Sequence, residues 1–493
     1  MLPIYSSKEL KFWDHFTMKT QAIDSIDLME RAAIQFVNWF IEKFQPNDLF
    51  LIFCGNGNNG GDGLAIARLL VSKLFRVKVV LVKVGEHNSP DYEINLSKVR
   101  ALGIEQISSR HDLVQLFAQS TGLVIIDAIL GYGLNRDLDD NLLNWIQFIN
   151  ESKHKVVAVD VPSGMFVDKI TDSDCIHAQF TFTFQSPKLS QLIAETGKYC
   201  GELSIGNINL DSEFIKYNPP NLNYLEQNDI SEIYSPRSLF NWKNKYGHLL
   251  IIGGNKGMAG AIILSANSSL RSGCGLCSIY SEESNREIIQ ISLPEAIFVQ
   301  TNTLDLSKYS CLVAGPGMGL EMESKNKLYS ILSSFNKPMV LDADALNIIA
   351  MENWQSSLNN NCIVTPHVGE FDRLFGPSSN GFERLKKAIE FSSQFKIHII
   401  LKGKFTAVIS PDKKVFFNST GNPGLAKGGS GDVLSGMLGS FLAQGYSILD
   451  ACKLAVYIHG MAADIAKEKI AEESIFPSDV IKNISNAFLK INL

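Results

Sequence analysis

No run of apolar residues in this 493-residue chain reaches the length of a membrane span. No lysine- or arginine-rich stretch supplies the electrostatic footprint of a nucleic-acid binder, and the formal net charge is −6. Neither a membrane nor a nucleic-acid partner is therefore expected. Cysteine is scarce, eight residues scattered along the length, which excludes a disulfide-stapled framework and favours a reducing, cytoplasmic compartment. Cys274 and Cys277 make one CxxC but lack a second pair or nearby histidine to complete a zinc site, so core packing is expected of them. The opening stretch MLPIYSSKELKFW has no basic segment leading into an apolar core, so no secretory signal is expected. With 45% hydrophobic and 19% charged residues the composition is that of a globular protein, and its length argues for more than one domain.

Glycine is present where chemistry would use it. GNPGLAKGGSGDVLSG, residues 421–436, sets Asp432 behind a glycine turn at the expected start of a helix. Gly428, Gly429 and Gly431 let backbone N–H groups crowd an anion, the helix adds its positive end, and Asp432 stands where a base would take a hydroxyl proton. That is the layout of a phosphoryl-transfer site. A glycine turn capping an amphipathic helix, with Asp432 suiting the helix dipole, is the simpler alternative.

Short aliphatic runs alternate with helical patterns over most of the chain, which predicts a two-domain, parallel α/β architecture. The polar stretch 211–228, with Pro219 and Pro220, interrupts the series. Domains are expected at 1–217 and 229–493, with 218–228 as linker. The first domain is expected to open with a helix carrying Ile26, Met29, Ala33, Val37 and Phe40, capped by Asp24 or Ser25. Strands are expected at 49–53, 77–82, 123–126 and 156–159, then at 249–252, 311–314, 339–341, 362–364 and 398–401.

In the first domain, strand LFLIFC runs into GNGNNGGDG, residues 55–63, and then a helix. The glycine spacing alone suits a dinucleotide turn, but Asn56, Asn58, Asn59 and Asp62 add side chains able to orient a polar ligand or ligate a hard cation through oxygen. Asp127, Asp160 and Ser163 follow other strand ends toward the same edge, although Asp160 and Ser163 would equally shape a turn around Pro162. GNGNNGGDG, DAILGYGLNR, VDVPSG, FQSPK and GELSIGNINL resemble the successive motifs of the NAD(P)H-hydrate epimerase domain, which is Rossmann-like. The resemblance implies that Asn58, Asn59, Gly60, Gly61 and Asp62, the loop Gly131, Tyr132, Gly133, Leu134, Asn135, Arg136 and Asp137, and Asp160 contact the hydrated nucleotide. It implies potassium ligation by Asn59, Asp127 and Ser163. Epimerisation at C6 of the hydrated ring breaks and remakes a bond there, and Asp160 is the expected proton-exchanging group.

In the second domain, NKGMAGA, AGPGMG, LDADALN, TPHVGEF and LKGKFT each follow an apolar run. His367 would bind ligand or pin its loop, Glu370 and Asp372 would cap the next helix, and the lysines and hydroxyl of 402–406 suit a nucleotide phosphate. In this order, with GGSGD, the motifs resemble the NAD(P)H-hydrate dehydratase domain of the ribokinase-like superfamily. The resemblance implies that Ala261, Gly317, His367 and Asp432 contact the hydrated substrate, while Lys402, Gly403, Lys404, Phe405, Thr406 and Gly431 hold the adenine nucleotide. Together the two resemblances cover nearly the whole chain and point to the fused bifunctional repair enzymes. They imply that hydrated NADH and NADPH are substrates and that ADP, with magnesium, is the phosphoryl donor. Asp432 would deprotonate the C6 hydroxyl as it attacks the nucleotide. A homo-oligomer is expected. A small-molecule kinase fused to a nucleotide-binding regulatory domain is the alternative that the C-terminal motifs alone leave open.

Overall fold

The computed structural model of the protein describes residues 1–107, 109–120, 122–171, 174–300 and 304–491. It divides into two compact units, Leu2–Pro220 and Asn221–Leu493. The strands of the first are β1 (Leu2–Ile4), β2 (Leu49–Gly55), β3 (Arg76–Val82), β4 (Gln106–Ile107), β5 (Leu123–Ala128), β6 (Lys155–Val159), β7 (Phe180–Phe184) and β8 (Glu202–Gly206). Seven of them form a sheet in the order β4-β3-β2-β5-β6-β7-β8. Every pairing in it is parallel. Parallel strands covered on both faces are apolar throughout, and β2 and β5 are almost wholly buried. The order reverses between β2 and β5, which leaves a crevice beyond Gly55 and Ala128, the usual place for a ligand in such a sheet.

The helix with Ile26, Met29 and Phe40 is Ser25–Lys43, with Asp24 at the N-cap. It is not the first. A helix over Ser7–Gln21 precedes it, started by a capping box in which the Ser6 and Glu9 side chains bond each other's backbone N–H. Trp13 anchors this helix by donating to the Asp211 carbonyl at 2.9 Å and stacking on Phe214 with ring centres 5.9 Å apart.

The second unit contains β9 (Leu222–Tyr224), β10 (His248–Ile252), β11 (Leu276–Tyr280), β12 (Ile297–Val299), β13 (Cys311–Ala314), β14 (Met339–Leu341), β15 (Cys362–Val364), β16 (His398–Leu401), β17 (Ala407–Ile409) and β18 (Val415–Phe417). They lie in the order β9-β18-β17-β16-β15-β14-β13-β10-β11-β12. The set from β16 to β12 is parallel, and β17 runs antiparallel to both neighbours. The stretch expected as linker, 218–228, thus contains β9, which pairs with β18. A three-residue strand bounded by prolines and asparagines carries no periodicity long enough to read.

Small residues let two helices of this unit meet closely. Ala259–Arg271 packs on Ser430–Ala443, and a Cβ placed on Gly436 would fall 1.9 Å from the Ser265 carbonyl oxygen. Cys274 and Cys277 are free and buried in the same core, beside Ile262 and Leu438. Because backbone cannot yield as a side-chain end can, Gly436→Ala should destabilise this unit by ~1–3 kcal/mol, read as a lowered thermal unfolding midpoint.

Candidate functional sites

In the N-terminal unit the helix Asn58–Ser72 begins directly after β2, with Gly57 at its N-cap, so Asn58 to Asp62 form its first turns. Gly60 is required there by sterics, since a Cβ would lie 1.6 Å from the Gly55 carbonyl oxygen. The loop 131–137 arrives beside this turn, with the Cβ position of Gly131 3.1 Å from Asn59 Oδ1. Leu134 is half-buried, whereas Gly133, Asn135, Arg136 and Asp137 are exposed, open to a ligand arriving from solvent.

The oxygen donors separate into two groups. Asp127, fully buried, accepts Ser163 Oγ–H at 2.6 Å on Oδ1 and Ser163 N–H at 2.8 Å on Oδ2. Burial pushes its carboxyl up to about 6 despite these bonds. Ser163 Oγ also accepts Leu130 N–H at 2.8 Å, which ties the pair to the loop running past Asn59. Asn59 itself is buried, and its Nδ2 has no partner. Asp127, Ser163 and Asn59 Oδ1 offer oxygen donors only, the ligand type of the hard monovalent cation expected there, while the unpaired Nδ2 is an N–H donor that suits an acceptor atom instead.

Asp160 does not join this group. It sits at φ +66, in the left-handed region that disfavours a side chain, and its carboxylate turns onto Lys188. Its Oδ1 accepts from Lys188 Nζ, from Thr183 Oγ1 at 3.1 Å and from Phe184 N at 3.1 Å. Among the described residues no hydrogen bond reaches Oδ2. Lys188 is 1% exposed and also donates to Thr183 Oγ1 at 2.7 Å and the Phe184 carbonyl at 3.1 Å. Asp62 is pushed well above the usual carboxylate range by burial, then by the charges of Asp160 and Asp14.

Lys188 and Asp14 are the side chains that the sequence reading did not single out. Lys188 was visible as the lysine of FQSPK, but burial alone marks it as a partner for Asp160. Asp14 is in no motif and reaches this cluster only because the Ser7–Gln21 helix folds against residues 208–214.

In the C-terminal unit the expected helix begins at Ser430, with Gly429 as N-cap at φ +96, so Asp432 occupies the third helical position. Gly431 faces an ion pair between a buried aspartate and a half-buried lysine. Lys402 Nζ lies 2.7 Å from Asp342 Oδ1, and a Cβ on Gly431 would stand 3.1 Å from Nζ and 3.6 Å from Asp342 Oδ2. Burial, then the Asp342 carboxylate, raises Asp432 to about 7 against the pull of Lys402. Asp344 and Glu370 press the same way.

Gly317, at φ +56, lies against the helix Ala259–Arg271, its Cβ position 3.3 Å from that of Ala261. His367 both pins its loop and faces outward. Its Nδ1 accepts the Gly369 and Glu370 N–H groups at 3.0 and 3.3 Å, and Glu370 returns a bond to His367 N at 2.9 Å. The proton therefore sits on Nε2, which lies 3.5 Å from Glu370 Oε1 on an exposed side chain. Glu370 caps this helix as expected, whereas Asp372 instead meets Arg384 at 3.3 Å.

The residues 402–406 do not act as one unit. Lys404 Nζ donates to the Gly421 carbonyl at 2.6 Å, and Thr406 Oγ1 turns back onto the Gly403 carbonyl at 3.0 Å. Gly403 is exposed, and Phe405 packs its ring 6.2 Å from Tyr224.

Residues 249–486 match the family described as NAD(P)H-hydrate dehydratase, and residues 25–190 match that described as YjeF-related protein N-terminus. The chain is 30% identical over 495 residues to the bifunctional NAD(P)H-hydrate repair enzyme Nnr of Coxiella burnetii, covering 98% of this chain and 99% of that one. It is 32% identical to the Escherichia coli protein of the same name, over 88% and 84% of the two chains. Among solved structures, the ADP/ATP-dependent NAD(P)H-hydrate dehydratase of Bacillus subtilis, co-crystallised with ATP and Mg2+, superimposes with a TM-score of 0.50 at 26% identity, over 55% of this chain and 99% of that one.

The Lys188–Asp160 pair gives a test independent of any activity. Lys188→Met removes the cation from a buried carboxylate, and should destabilise the N-terminal unit by ~3–5 kcal/mol, measured by chemical denaturation.

Proposed function

The chain belongs to the family of bifunctional NAD(P)H-hydrate repair enzymes, and from this premise we propose which groups of its two sites do the chemistry. The N-terminal unit is the epimerase, interconverting the R and S hydrates, and the C-terminal unit is the ADP-dependent dehydratase that returns the S form to NAD(P)H. The observation that carries the residue assignment is Asp432, a half-buried carboxyl with a raised pKa directly behind a glycine turn that borders a Lys–Asp pair.

Hydroxide is a poor leaving group, and phosphate is a better one. In the proposed dehydration Asp432 takes the C6 hydroxyl proton as that oxygen attacks the β-phosphorus of ADP, and AMP departs. The ring nitrogen's electron pair then expels phosphate from C6, and loss of a C5 proton restores the dihydronicotinamide. The Gly428–Gly431 backbone stabilises the charge on the transferring group, and Lys402, paired with Asp342 and facing Gly431, is near enough to share in this. ADP enters as its magnesium complex, with residues 402–406 and Gly431 on the nucleotide side. Ala261, Gly317 and the Nε2–H of His367 line the hydrated-substrate side.

In the epimerase unit, Asn58 to Asp62, the loop 131–137 and Asp160 take the hydrated nucleotide, and Asp160, with Oδ2 uncommitted, exchanges the proton. Asn59, Asp127 and Ser163 would hold potassium, which would supply a fixed positive charge beside the loop that receives the nucleotide. The oxygen-only chemistry of Asn59 Oδ1, Asp127 and Ser163 supports this assignment. The free thiols agree with a reducing, cytoplasmic setting.

Mixed NADH hydrate epimers with ADP should give full recovery of reduced-nicotinamide absorbance together with inorganic phosphate. Recovery of one epimer alone would remove the epimerase, and accumulation of a phosphorylated product would indicate a kinase. Asp432→Asn should fold normally and lose dehydration by ~10²- to 10⁴-fold. Because the base must be ionised, wild-type kcat/KM for dehydration should rise with pH through about 7, the value to which burial and Asp342 bring Asp432.

A further inference from the structure

The epimerase site holds more carboxyl groups than one base requires. Asp14 accepts the Tyr132 hydroxyl on Oδ2 at 2.6 Å, and Tyr132 belongs to the 131–137 loop that takes the substrate in the reading above. Its neighbour Trp13 is fully buried and hydrogen-bonded to Asp211, so the helix bearing Asp14 is fixed in place. The titratable and charged groups acting on Asp14 come from several elements: Tyr132 from beyond β5, Asp160 from beyond β6, Lys188 from beyond β7, and His15 from its own helix. Asp62, on the helix after β2, feels both Asp14 and Asp160.

The charges in this cluster do not balance. Asp14, Asp62 and Asp160 share the region with one buried cation, Lys188, and Lys188 is committed to Asp160. Asp160 thus has a cation of its own, while a carboxyl without one keeps a proton more readily. Burial, followed by the opposed effects of the Tyr132 bond and the Asp160 charge, leaves Asp14 at about 6. Inversion at C6 needs that division of roles, one group to give a proton and another to take one.

We propose that Asp14, oriented by Tyr132, is the second acid–base group of the epimerase, working as acid where Asp160 works as base. The proposal rests on the epimerase reading of this unit. The C6 hydroxyl leaves as water with the proton of one carboxyl, and the ring-nitrogen electron pair becomes the N1=C6 bond. Water then adds to the other face of C6 and gives its extra proton to the second carboxyl. The pair starts and ends with a single proton, moved from one member to the other, and no external oxidant or reductant is needed.

The test is the rate at which one purified NADH hydrate epimer equilibrates, followed by chromatography without ADP, in the full-length protein. Wild type should equilibrate the epimers, and its rate should fall as pH rises through the value of Asp14, because the pair must retain one proton. Asp14→Asn should slow equilibration by ~10²-fold or more while S-hydrate dehydration with ADP stays at the wild-type rate. Tyr132→Phe removes a bond that stabilises the Asp14 carboxylate, so it should move the high-pH fall to higher pH. A purely structural role for Asp14 would not move that limb. Equilibration by Asp14→Asn at the wild-type rate, or an unmoved limb in Tyr132→Phe, overturns the proposal. Should Asp14→Asn lose its N-terminal unfolding transition, the limbs of Tyr132→Phe and Asp14→Glu decide. A wild-type protein that leaves the epimers unequilibrated removes the epimerase reading itself, and the proposal with it.

Discussion

At the carboxyl ends of the parallel strands, backbone meets backbone with no side chain between. A Cβ on Gly60 would lie 1.6 Å from the Gly55 carbonyl oxygen, one on Gly253 2.1 Å from that of Pro316, and one on Gly315 1.8 Å from that of Asp342. These approaches fold each loop back across its own sheet edge, which brings polar groups from distant strands within reach of one ligand. Without them the strand order would still be possible. The sites would not.

Each unit sets its proposed proton-exchanging carboxyl beside or within a Lys–Asp pair, buried in the first and half-buried at its lysine in the second. In the epimerase the carboxyl is itself the paired member, Asp160, with Lys188 as its partner. In the dehydratase the pair is Lys402–Asp342, and the carboxyl, Asp432, stands beside it. There burial and then the Asp342 charge raise Asp432 while Lys402 lowers it, which leaves the carboxyl near neutrality. The same two residue types thus hold the carboxyl directly in one site and tune a titration in the other.

The parallel strands were legible because burial on both faces writes itself as aliphatic runs, and each expected run lies in a strand of the structure. The strands that escaped notice are short, as β9 and β12 are, or alternate polar and apolar residues, as β7 does with FTFTF. The Ser7–Gln21 helix escaped although its capping box, Ser6 to Glu9, stands in the sequence. The glycine turn with Asp432 at the start of its helix was legible because helix entry and glycine spacing are local. The arrangement of 402–406 was not, since whether Lys402 or Lys404 faces Gly431 depends on where Asp342 and the Gly421 carbonyl come to lie.

By itself the sequence determined the parallel α/β class, the pair of glycine turns and the family, because each of these is carried by residues close together in the chain. Tertiary structure decided which charges and hydrogen bonds each carboxyl meets. Asp160 was expected to converge with Asp127 and Ser163, yet it turns to Lys188, 28 residues away, while Asp14 and Tyr132 meet across 118. Ionisation depends on burial and on the nearest charge, and both are set by distances in space that no local pattern of residues records.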